Sequence, residues 1–384
     1  MWVALYVTKM IDFFWDYIVV FLVVLTILVF VHELGHYLLA RLNGVRVEVF
    51  SIGFGPEVYG WNDSTGTRWK ISAVPLGGYV KMFGEADIAG DTEDQQPMTP
   101  EELAVSFHNK RLSQRTAIVA AGPIANFLFA FIVLAGLFTT VGLPVPLAVI
   151  GEVQPESAAS EAGLRPGDHI LGINGQTIAW FSDLRRIVRA NPGVRIDLLI
   201  RRDGVDLPLQ ATPTRHKLVD HQGTKREYGL LGVMPDPERI EYERQNPFMA
   251  TWMAVERSFG LATQILFSVG EMITGSRSTD ELGGVIRIAQ FSGQMCQTPI
   301  NCVFFLAALS VNLGLINLFP IPVLDGGYLL FYVVEAFLGR PLKPQTQEYG
   351  FRFGLILVFL LMIFATWNDL VYLKVFEFIK QLFT

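Results

Sequence analysis

Three ionisable side chains lie inside one apolar run near the N-terminus. The run VFVHELGHYLLA contains His32, Glu33 and His36. Residues four apart share one face of a helix, so the two imidazoles can bind one Zn²⁺ ion, with Glu33 beside a water that the ion activates. Unpaired ionisable groups are costly in a membrane helix, so chance occurrence explains them poorly. We therefore predict that His32 and His36 bind a metal and that Glu33 is the catalytic acid/base.

A catalytic zinc site needs a third protein ligand and leaves one position to water. The local solutions of soluble metalloproteases do not fit, because Leu39 stands where HExxHxxGxxH requires glycine and Glu57 lies among helix-breaking glycine and proline residues. Asp325, in NLFPIPVLDGG, is the remaining acid at membrane depth. Broken backbone at that depth is tolerated where protein buries it or where it lines a wet cavity. Asp325 is therefore the predicted third ligand; the alternative is an aspartate turn in an ordinary cytoplasmic loop.

The composition indicates a multi-pass α-helical membrane protein. The 384 residues are 51% hydrophobic, and the mean hydropathy is +0.38, which is too apolar for a soluble chain. Four segments are predicted to span the bilayer: residues 16–40, 117–141, 299–319 and 351–367. The net charge of −6 and the lack of a long basic run give no reason to expect nucleic acid as a partner.

The region between the first two spans is predicted to form membrane-associated β-hairpins. Residues 44–61 and 67–84 alternate apolar and polar side chains, with glycine and turn residues between them. The acidic, proline-containing stretch 87–102 is predicted to be a loop. An exposed strand of this region could bind an extended substrate peptide by adding it to the sheet, and the candidates are GVRVEVF and RWKISAV.

One soluble α+β domain is predicted at residues 145–235. The phrase AGLRPGDHILGINGQ and the order of strands, helices and a hairpin at Asp203-Gly204 resemble a PDZ domain. Such a domain would bind peptide or protein ligands as a filter or docking module; the alternative is a spacer. The predicted domain division is 1–115, 116–144, 145–235, 236–298 and 299–384, with the zinc-ligand motif LDG in the last part.

Several features remain open at this level. Residues 248–275 have helical periodicity but a short apolar core, which favours an amphipathic helix over a fifth span. A second amphipathic helix is predicted at 368–384. Asn126, in GPIANF, fits either helix packing or a role near the metal. Cys296 and Cys302 could be joined by a disulfide or remain free thiols.

Positive charges predict the orientation in the membrane, since Lys and Arg are enriched in short cytoplasmic loops. Only Lys9 precedes the first span, whereas eight basic residues lie between the first two spans: Arg41, Arg46, Arg68, Lys70, Lys81, Lys110, Arg111 and Arg115. The β region is therefore predicted on the cytoplasmic side, with the active site near it. The N-terminus and the PDZ-like domain are predicted on the opposite side.

The motifs HELGH, GPIANF and NLFPIPVLDGG together resemble the site-2 protease family of intramembrane zinc metalloproteases, in particular its RseP-like branch in a form with one PDZ domain. The resemblance implies a bacterial inner-membrane enzyme that performs regulated intramembrane proteolysis. Its substrates would be single-span membrane proteins of the anti-sigma-factor type, or signal-peptide remnants.

The resemblance also assigns residue roles. It implies that His32, His36 and Asp325 bind Zn²⁺ and that Glu33 is the general base and acid. Four further positions match residues linked to substrate binding in the family: Asn312, Asn317, Pro320 and Pro322.

Two other functions compete with this one. A membrane scaffold could bind partners through its PDZ-like domain and use the metal structurally, but a structural zinc is closed by four protein ligands. A metal transporter would show ionisable residues along several spans and a repeat symmetry, and neither is visible. Three predicted ligands beside a free glutamate favour the protease.

Overall fold

The computed structural model describes residues 14–84, 98–219 and 225–373. These residues fall into two compact units. The first combines residues 1–136 with 248–384, and the second, residues 137–247, is inserted in the chain between them. The predicted C-terminal helix lies largely outside the described residues, as does most of the predicted acidic loop.

Among the residues that the structure describes, four helices are long and apolar enough to cross a membrane: Trp15–Leu42, Leu112–Thr140, Pro299–Asn317 and Pro344–Tyr372. The prediction of a multi-pass helical membrane protein is confirmed at this level. The last helix continues through the predicted start of the C-terminal helix at Asn368, so that part of the chain is not a separate element.

The helices of the first unit have the following bounds: α1 Val20–Leu42, α2 Pro100–Val105, α3 Leu112–Thr140, α6 Pro247–Ile273, α7 Val285–Met295, α8 Pro299–Asn317, α9 Asp325–Leu338 and α10 Pro344–Tyr372. A π-helical turn, Phe14–Val19, leads into α1. The segment predicted to be an amphipathic helix forms most of α6, which is not among the four candidate spans. A disulfide joins Cys296, just after α7, to Cys302 in α8.

The predicted β region consists of two long antiparallel strands, β1 (Val47–Asn62) and β2 (Arg68–Met82). Both strands bend, so their halves form a sheet of four segments. Phe50 illustrates the arrangement, because it has Trp69 as a partner on one side and Val80 on the other.

The pairing corrects the choice of candidate substrate-binding strands. Residues 49–52 have neighbours on both sides, and residues 68–71 lie between 49–52 and 57–62. In GVRVEVF, residues 49 and 50 have strand partners on both sides, and in RWKISAV residues 68–71 do, so the backbone groups of these residues are already paired. The outer segments are 57–62 and 78–82, so only these can accept another strand.

A partly buried polar contact fixes the sheet to α1. The carboxylate of Asp63, in the turn between β1 and β2, accepts hydrogen bonds of 3.0 Å from both Tyr37 Oη and Trp69 Nε1. Burial raises the pKa of Asp63, but its hydrogen bonds outweigh that effect and hold the pKa well below the ordinary value. Phe50 stacks on Trp69 with ring centroids 4.2 Å apart. The β region therefore has a defined position against the helix that carries HELGH.

The described residues of the second unit form ten strands and two helices. Their bounds are β3 Leu143–Pro146, β4 Ile150–Val153, α4 Ala158–Glu161, β5 His169–Ile173, β6 Gln176–Thr177, α5 Phe181–Ala190, β7 Ile196–Arg202, β8 Val205–Ala211, β9 Thr214–Val219, β10 Lys225–Leu230, β11 Val233–Pro235 and β12 Ile240–Glu243. The largest sheet has the order β6-β5-β7-β8, and β11 pairs with β4.

The core of this unit is aliphatic, and the alternating pattern of its strands explains that. Ile196, Leu198 and Ile200 are buried along one face of β7, and they pack with Ile170 and with Leu184 of α5. The hairpin turn falls at Asp203-Gly204, where both residues have positive φ, as a two-residue type I′ turn requires. The unit extends beyond the predicted 145–235 because β3 pairs with β12.

A buried ion pair stabilises the second unit. Asp168 is 1% exposed and accepts two hydrogen bonds of 2.7 Å from Arg202 and one of 2.8 Å from the backbone amide of Arg165. Burial raises the pKa of Asp168, but these hydrogen bonds and the two guanidinium charges lower it more, so the net pKa lies below the ordinary value. Asp168 therefore stabilises the unit above the ordinary aspartate pKa of about 3.9, and that contribution is lost as the pH falls below it.

We predict that Asp168→Ala destabilises the second unit by roughly 2–4 kcal/mol, because it removes a buried carboxylate and leaves the partly exposed Arg202 guanidinium unpaired. Hydrogen exchange of the β7 amides in the full chain measures the effect. Asp206→Ala is the control, since Asp206 forms an exposed pair with Arg201 on the same hairpin and its loss should leave exchange unchanged. Equal protection in both variants would contradict the role of Asp168.

Candidate metal centre

Helix α1 places both histidines of HELGH in the interior. His32 and His36 are each 8% exposed, and their Nε2 atoms lie 3.2 Å apart. The spacing of four residues sets them one helical turn apart on the same face. The structure therefore brings the two predicted metal ligands together as the sequence indicated.

Helix α9 brings in the third group. The chain between α8 and α9 turns sharply, with Val323 at φ 95°, and α9 begins at Asp325. The Oδ2 atom of Asp325 lies 3.1 Å from His32 Nε2 and 3.5 Å from His36 Nε2. The three side chains form a cluster whose candidate ligand atoms all lie within 4.8 Å of one another.

Helix α3 orients both imidazoles through contacts with their Nδ1 atoms. His36 Nδ1 lies 2.9 Å from the carbonyl oxygen of Ile118. A carbonyl can only accept, so Nδ1 of His36 carries the proton and Nε2 keeps its lone pair. His32 Nδ1 lies 3.2 Å from the side-chain Nδ2 atom of Asn126. The Oδ1 atom of the same amide is buried and has no hydrogen-bond partner among the described residues. Exchanging the amide N and O makes Oδ1 the acceptor for His32 Nδ1–H.

The donor set fits a zinc ion. With both Nδ1 atoms protonated, two imidazole lone pairs and one carboxylate oxygen converge on one point, and Asp325 Oδ2 is buried without a hydrogen-bond partner among the described residues. Three acceptors at this distance repel one another unless a cation lies between them. Two imidazoles, each held by a further contact, and one carboxylate are a common ligand set of catalytic zinc.

Glu33 lies beside this cluster but is not part of it. Its carboxylate accepts a hydrogen bond from the backbone of Val80, in the outer segment 78–82 of the sheet. Glu33, both histidines and Asp325 line one cavity of about 250 Å³, together with Tyr79, Val80, Asn317 and Tyr328. The cavity thus combines three potential metal ligands, a carboxylate that is not one of these ligands, and a strand edge.

The four predicted substrate-binding residues separate into two groups. Asn317 lines the cavity, with its Nδ2 atom 3.5 Å from His32 Nε2. Asn312, Pro320 and Pro322 do not line it. Pro322 packs instead against Gly354 of α10 and Gly327 of α9, so its observed contacts support the turn that positions Asp325.

A buried ion pair connects the two helices that complete the site. Arg115 in the first turn of α3 lies 2.9 Å from Glu335 of α9, and the two side chains are 13% and 4% exposed. The Arg115 guanidinium also lies 4.9 Å above the ring of Tyr332. Because α3 carries the imidazole partners and α9 carries Asp325, this contact stabilises their relative position.

Sequence reasoning left the role of one residue of the centre open, Gly122, and missed two others, Ile118 and Val80. Gly122 packs directly on the histidines: a Cβ there would lie 2.8 Å from His32 Cε1 and closer still to His36 Nε2. The phrase GPIANF was a visible signal, since it places a small residue and an amide within a span. Ile118 and Val80 act through backbone atoms, so no side-chain pattern could have indicated them.

Comparison with known proteins identifies the family of this chain. The sequence profile described as Peptidase family M50 matches residues 20–361. The chain belongs to this peptidase family. Its members are zinc metalloproteases, so the predicted family, enzyme class and cofactor are confirmed.

Bacterial relatives match over nearly the whole chain. Atu1380 of Agrobacterium fabrum, named "Putative zinc metalloprotease", is 46% identical over 93% of this chain and 96% of its own. R01501 of Rhizobium meliloti, with the same name, is 46% identical over 91% and 95%. Metalloprotease MmpA of Caulobacter vibrioides is 37% identical over 94% and 97%.

Two solved structures match part of the chain. One is the PDZ domain of an SdrC-like protein from Listeria monocytogenes, which is 15% identical, covers 26% of this chain and 96% of its own, and has a TM-score of 0.19. The other is the PDZ domain of an SdrC-like protein from Listeria innocua, which is 16% identical, covers 23% of this chain and 92% of its own, and has a TM-score of 0.18. The PDZ-like interpretation of residues 137–247 rests on the sequence and strand order of that unit itself.

We predict that Gly122→Ala lowers zinc affinity by at least about tenfold, because the added methyl group displaces the imidazoles. The measurement is zinc content of the purified chain after dialysis against a graded chelator. Gly136→Ala is the matched control, since it adds the same methyl group to α3 where no atom lies within 4 Å. Full zinc retention by Gly122→Ala would contradict the packing described.

Proposed function

We propose that this metalloprotease is an intramembrane endopeptidase that cuts single-span membrane proteins within their apolar segments. The observation that carries the proposal is the position of the cluster: His32, His36 and Asp325 converge inside a bundle of apolar helices, and Glu33 remains free beside them. A site at that depth suits a substrate that is itself in the membrane.

Each residue of the site has a separate role in the proposed reaction. His32, His36 and Asp325 would hold zinc, which supplies a Lewis acid that polarises the scissile carbonyl and activates water. Glu33 accepts a proton from the attacking water and returns it to the leaving amine, so that one water adds across the peptide bond. Asn317, at the cavity wall, is placed to donate a hydrogen bond to the substrate backbone.

A helical substrate hides its carbonyl groups in hydrogen bonds and must become extended before it is cut. Residues 78–82 form an outer segment of the β sheet and line the catalytic cavity through Tyr79 and Val80. We infer that this edge binds the unwound substrate as an added strand. The contact between Val80 and Glu33 supports the inference, because it places that edge next to the catalytic carboxylate.

The proposed location is the bacterial inner membrane. The basic residues between the first two spans favour a cytoplasmic β region with the active site near it, and a periplasmic N-terminus and PDZ-like unit. The disulfide between Cys296 and Cys302 at the start of α8 supports a non-cytosolic position for that end of the span. Substrates would be anti-sigma-type proteins or signal-peptide remnants.

The PDZ-like unit is proposed to select or dock substrates by binding peptide segments. The scaffold alternative receives less support, because membership of a peptidase family and a three-residue ligand set with a free Glu33 both favour catalysis.

We predict that Glu33→Gln retains zinc and lowers cleavage of a tagged single-span substrate by about 10²–10⁴-fold, because the general base is lost while the ligands stay. Asp325→Asn should lose both zinc and cleavage. The measurement combines gel-based cleavage in detergent with zinc content per chain.

Glu57→Gln is the control for this experiment. Glu57 is the other acid weighed as a ligand, and it forms a surface pair with Arg68 instead, so zinc and cleavage should persist. Cleavage at the wild-type rate by Glu33→Gln would exclude the proposed mechanism, and unchanged zinc in Asp325→Asn would exclude the ligand assignment.

The strand-edge proposal predicts a crosslinking pattern. In a Glu33→Gln chain, Val80→Cys should crosslink to a cysteine placed next to the scissile bond of a bound substrate. Tyr59→Cys, on the opposite outer segment 57–62, is more exposed and should not. Preferential crosslinking at position 59 would show that the substrate does not use the edge at residues 78–82.

A further inference from the structure

The first unit contains an apolar cavity that the proposed catalytic site does not use. It lies between the start of α1, residues 73–76 of β2 and residues 285–290 of α7. Its volume is about 690 Å³, compared with about 250 Å³ for the catalytic cavity. Phe21 and Leu22 line it from α1. We call it the α1–α7 cavity.

The lining of the α1–α7 cavity does not suit water. Among the described residues that line it, the polar side chains are those of Tyr17 and Gln290, and none is charged. A buried water molecule needs two to four polar partners, which most of this lining does not offer. Leu76 and Val285, on two different walls, are each 52% exposed. The cavity therefore fits an apolar occupant.

The position of the cavity along the first span indicates that it begins at the membrane interface. That span starts at Trp15, which is 59% exposed. Trp and Tyr side chains are enriched where a span meets the lipid headgroups, so Trp15 and Tyr17 mark that level. Phe21 lies about one helical turn further into the bilayer. The cavity therefore extends from the headgroups into the hydrocarbon region.

The polar side chains of the lining lie at one end of the cavity. Tyr17 packs against Gly293, which follows Gln290 in α7 by about one turn. The walls formed by residues 73–76 and by the first turn of α7 present apolar side chains. This distribution suits an amphiphile with one polar end and one apolar chain.

The volume and the surroundings of the cavity identify the amphiphile as a lipid. A methylene group occupies roughly 30 Å³, close to the share of one water molecule in the liquid. The cavity of about 690 Å³ therefore holds on the order of twenty methylene groups, the size of one long acyl chain. Val23, next to Leu22, is exposed on the same span, so the cavity adjoins a surface that faces the bilayer.

The cavity also touches the strand that reaches the catalytic site. Residues 73–76 lead directly into the outer segment 78–82 of the sheet. Gly78 of that segment packs against Glu33 of α1, whereas the cavity adjoins Leu22, about 16 Å earlier along the helix axis. An occupant of the cavity therefore contacts the bend of β2 from which the edge beside the catalytic carboxylate continues.

We propose that the α1–α7 cavity binds one acyl chain of a bilayer phospholipid, and that this chain supports the bend of β2 at residues 73–76. The headgroup lies beside Tyr17 and Gln290, and the acyl chain packs against the apolar walls. Since no charged residue among the described ones lines the cavity, binding depends on the chain and not on the charge of the headgroup. The lipid site is independent of proteolysis, whereas its effect on cleavage rests on the proposed role of the edge at residues 78–82.

Native mass spectrometry of the full chain, in neutral detergent with added dioleoylphosphatidylethanolamine, counts the bound phospholipid. We expect one molecule per wild-type chain and about fivefold lower occupancy in Ala289→Trp, because the indole takes the space of the acyl chain. Ala73→Trp, on the β2 wall, should give the same loss, and unchanged zinc content shows that both variants fold. Phe291→Trp is the matched control, since position 291 is exposed on α7 outside the cavity. No bound lipid in the wild type, or equal occupancy in all variants, would overturn the proposal.

A photoreactive group identifies the occupant directly. Benzophenone maleimide attached to Ala289→Cys is irradiated in native membranes, and mass spectrometry identifies the crosslinked partner. Cys296 and Cys302 are joined to each other, so they do not take the label. We expect a crosslink to phospholipid. A crosslink instead to a terminal segment of the same chain, to a second copy or to a substrate would assign the cavity to that occupant and overturn the proposal.

Cleavage assays test the support of β2 and separate it from the catalytic proposal. The delipidated wild-type chain should keep its zinc, cut a tagged single-span substrate about fivefold more slowly and recover equally with phosphatidylethanolamine or phosphatidylglycerol. Phe291→Trp should respond to added phospholipid in the same way, whereas Ala289→Trp should not respond. If lipid binds and the cleavage rate does not depend on it, the support of β2 is wrong. If lipid binds as expected and no substrate is cut under any condition, the lipid site stands and the protease proposal fails.

Discussion

The arrangement of the first unit depends on one electrostatic constraint. Two imidazole nitrogens and a carboxylate oxygen lie within 3.1–3.5 Å of one another in an apolar bundle. A cation at the centre of the cluster removes the repulsion between these three acceptor atoms and offsets the cost of burying them. The surrounding structure meets this constraint by fixing the tautomers: the Ile118 carbonyl and the Asn126 amide oxygen accept hydrogen bonds from the Nδ1–H groups, so the Nε2 lone pairs point inward.

Much of the fold can be understood as the support of that cluster. Helix α3 reaches the histidines closely because Gly122 has no side chain, and the ion pair of Arg115 with Glu335 connects α3 to the helix of Asp325. Asp63 fixes the β region to α1 through Tyr37, so that the edge at residues 78–82 reaches Glu33. Each contact is buried or partly buried, which keeps it strong in an environment of low dielectric constant.

The sequence was informative where side-chain chemistry conflicts with its surroundings. His32, Glu33, His36 and Asp325 could be selected because ionisable groups and broken helices are costly at membrane depth, and the four spans could be located because apolar runs of that length have few other uses. The internal position of residues 49–52 and 68–71 could not be predicted, since alternation reveals a strand but not its neighbours. The contributions of Ile118 and Val80 come from the backbone, which every residue shares. Pro322 shows the reverse case, where family resemblance suggested substrate binding and the observed contacts are with Gly354 and Gly327.

The most direct test of the central claim is the identity of the atoms that hold the metal. X-ray absorption at the zinc edge of purified Asp325→Cys reports the ligand shell, and the wild-type chain provides a sulfur-free reference because Cys296 and Cys302 are joined to each other. If Asp325 is the third ligand, the variant should show one sulfur neighbour at about 2.3 Å together with two imidazoles. Bound zinc with the same nitrogen and oxygen shell as the wild type would show that Asp325 does not hold the ion.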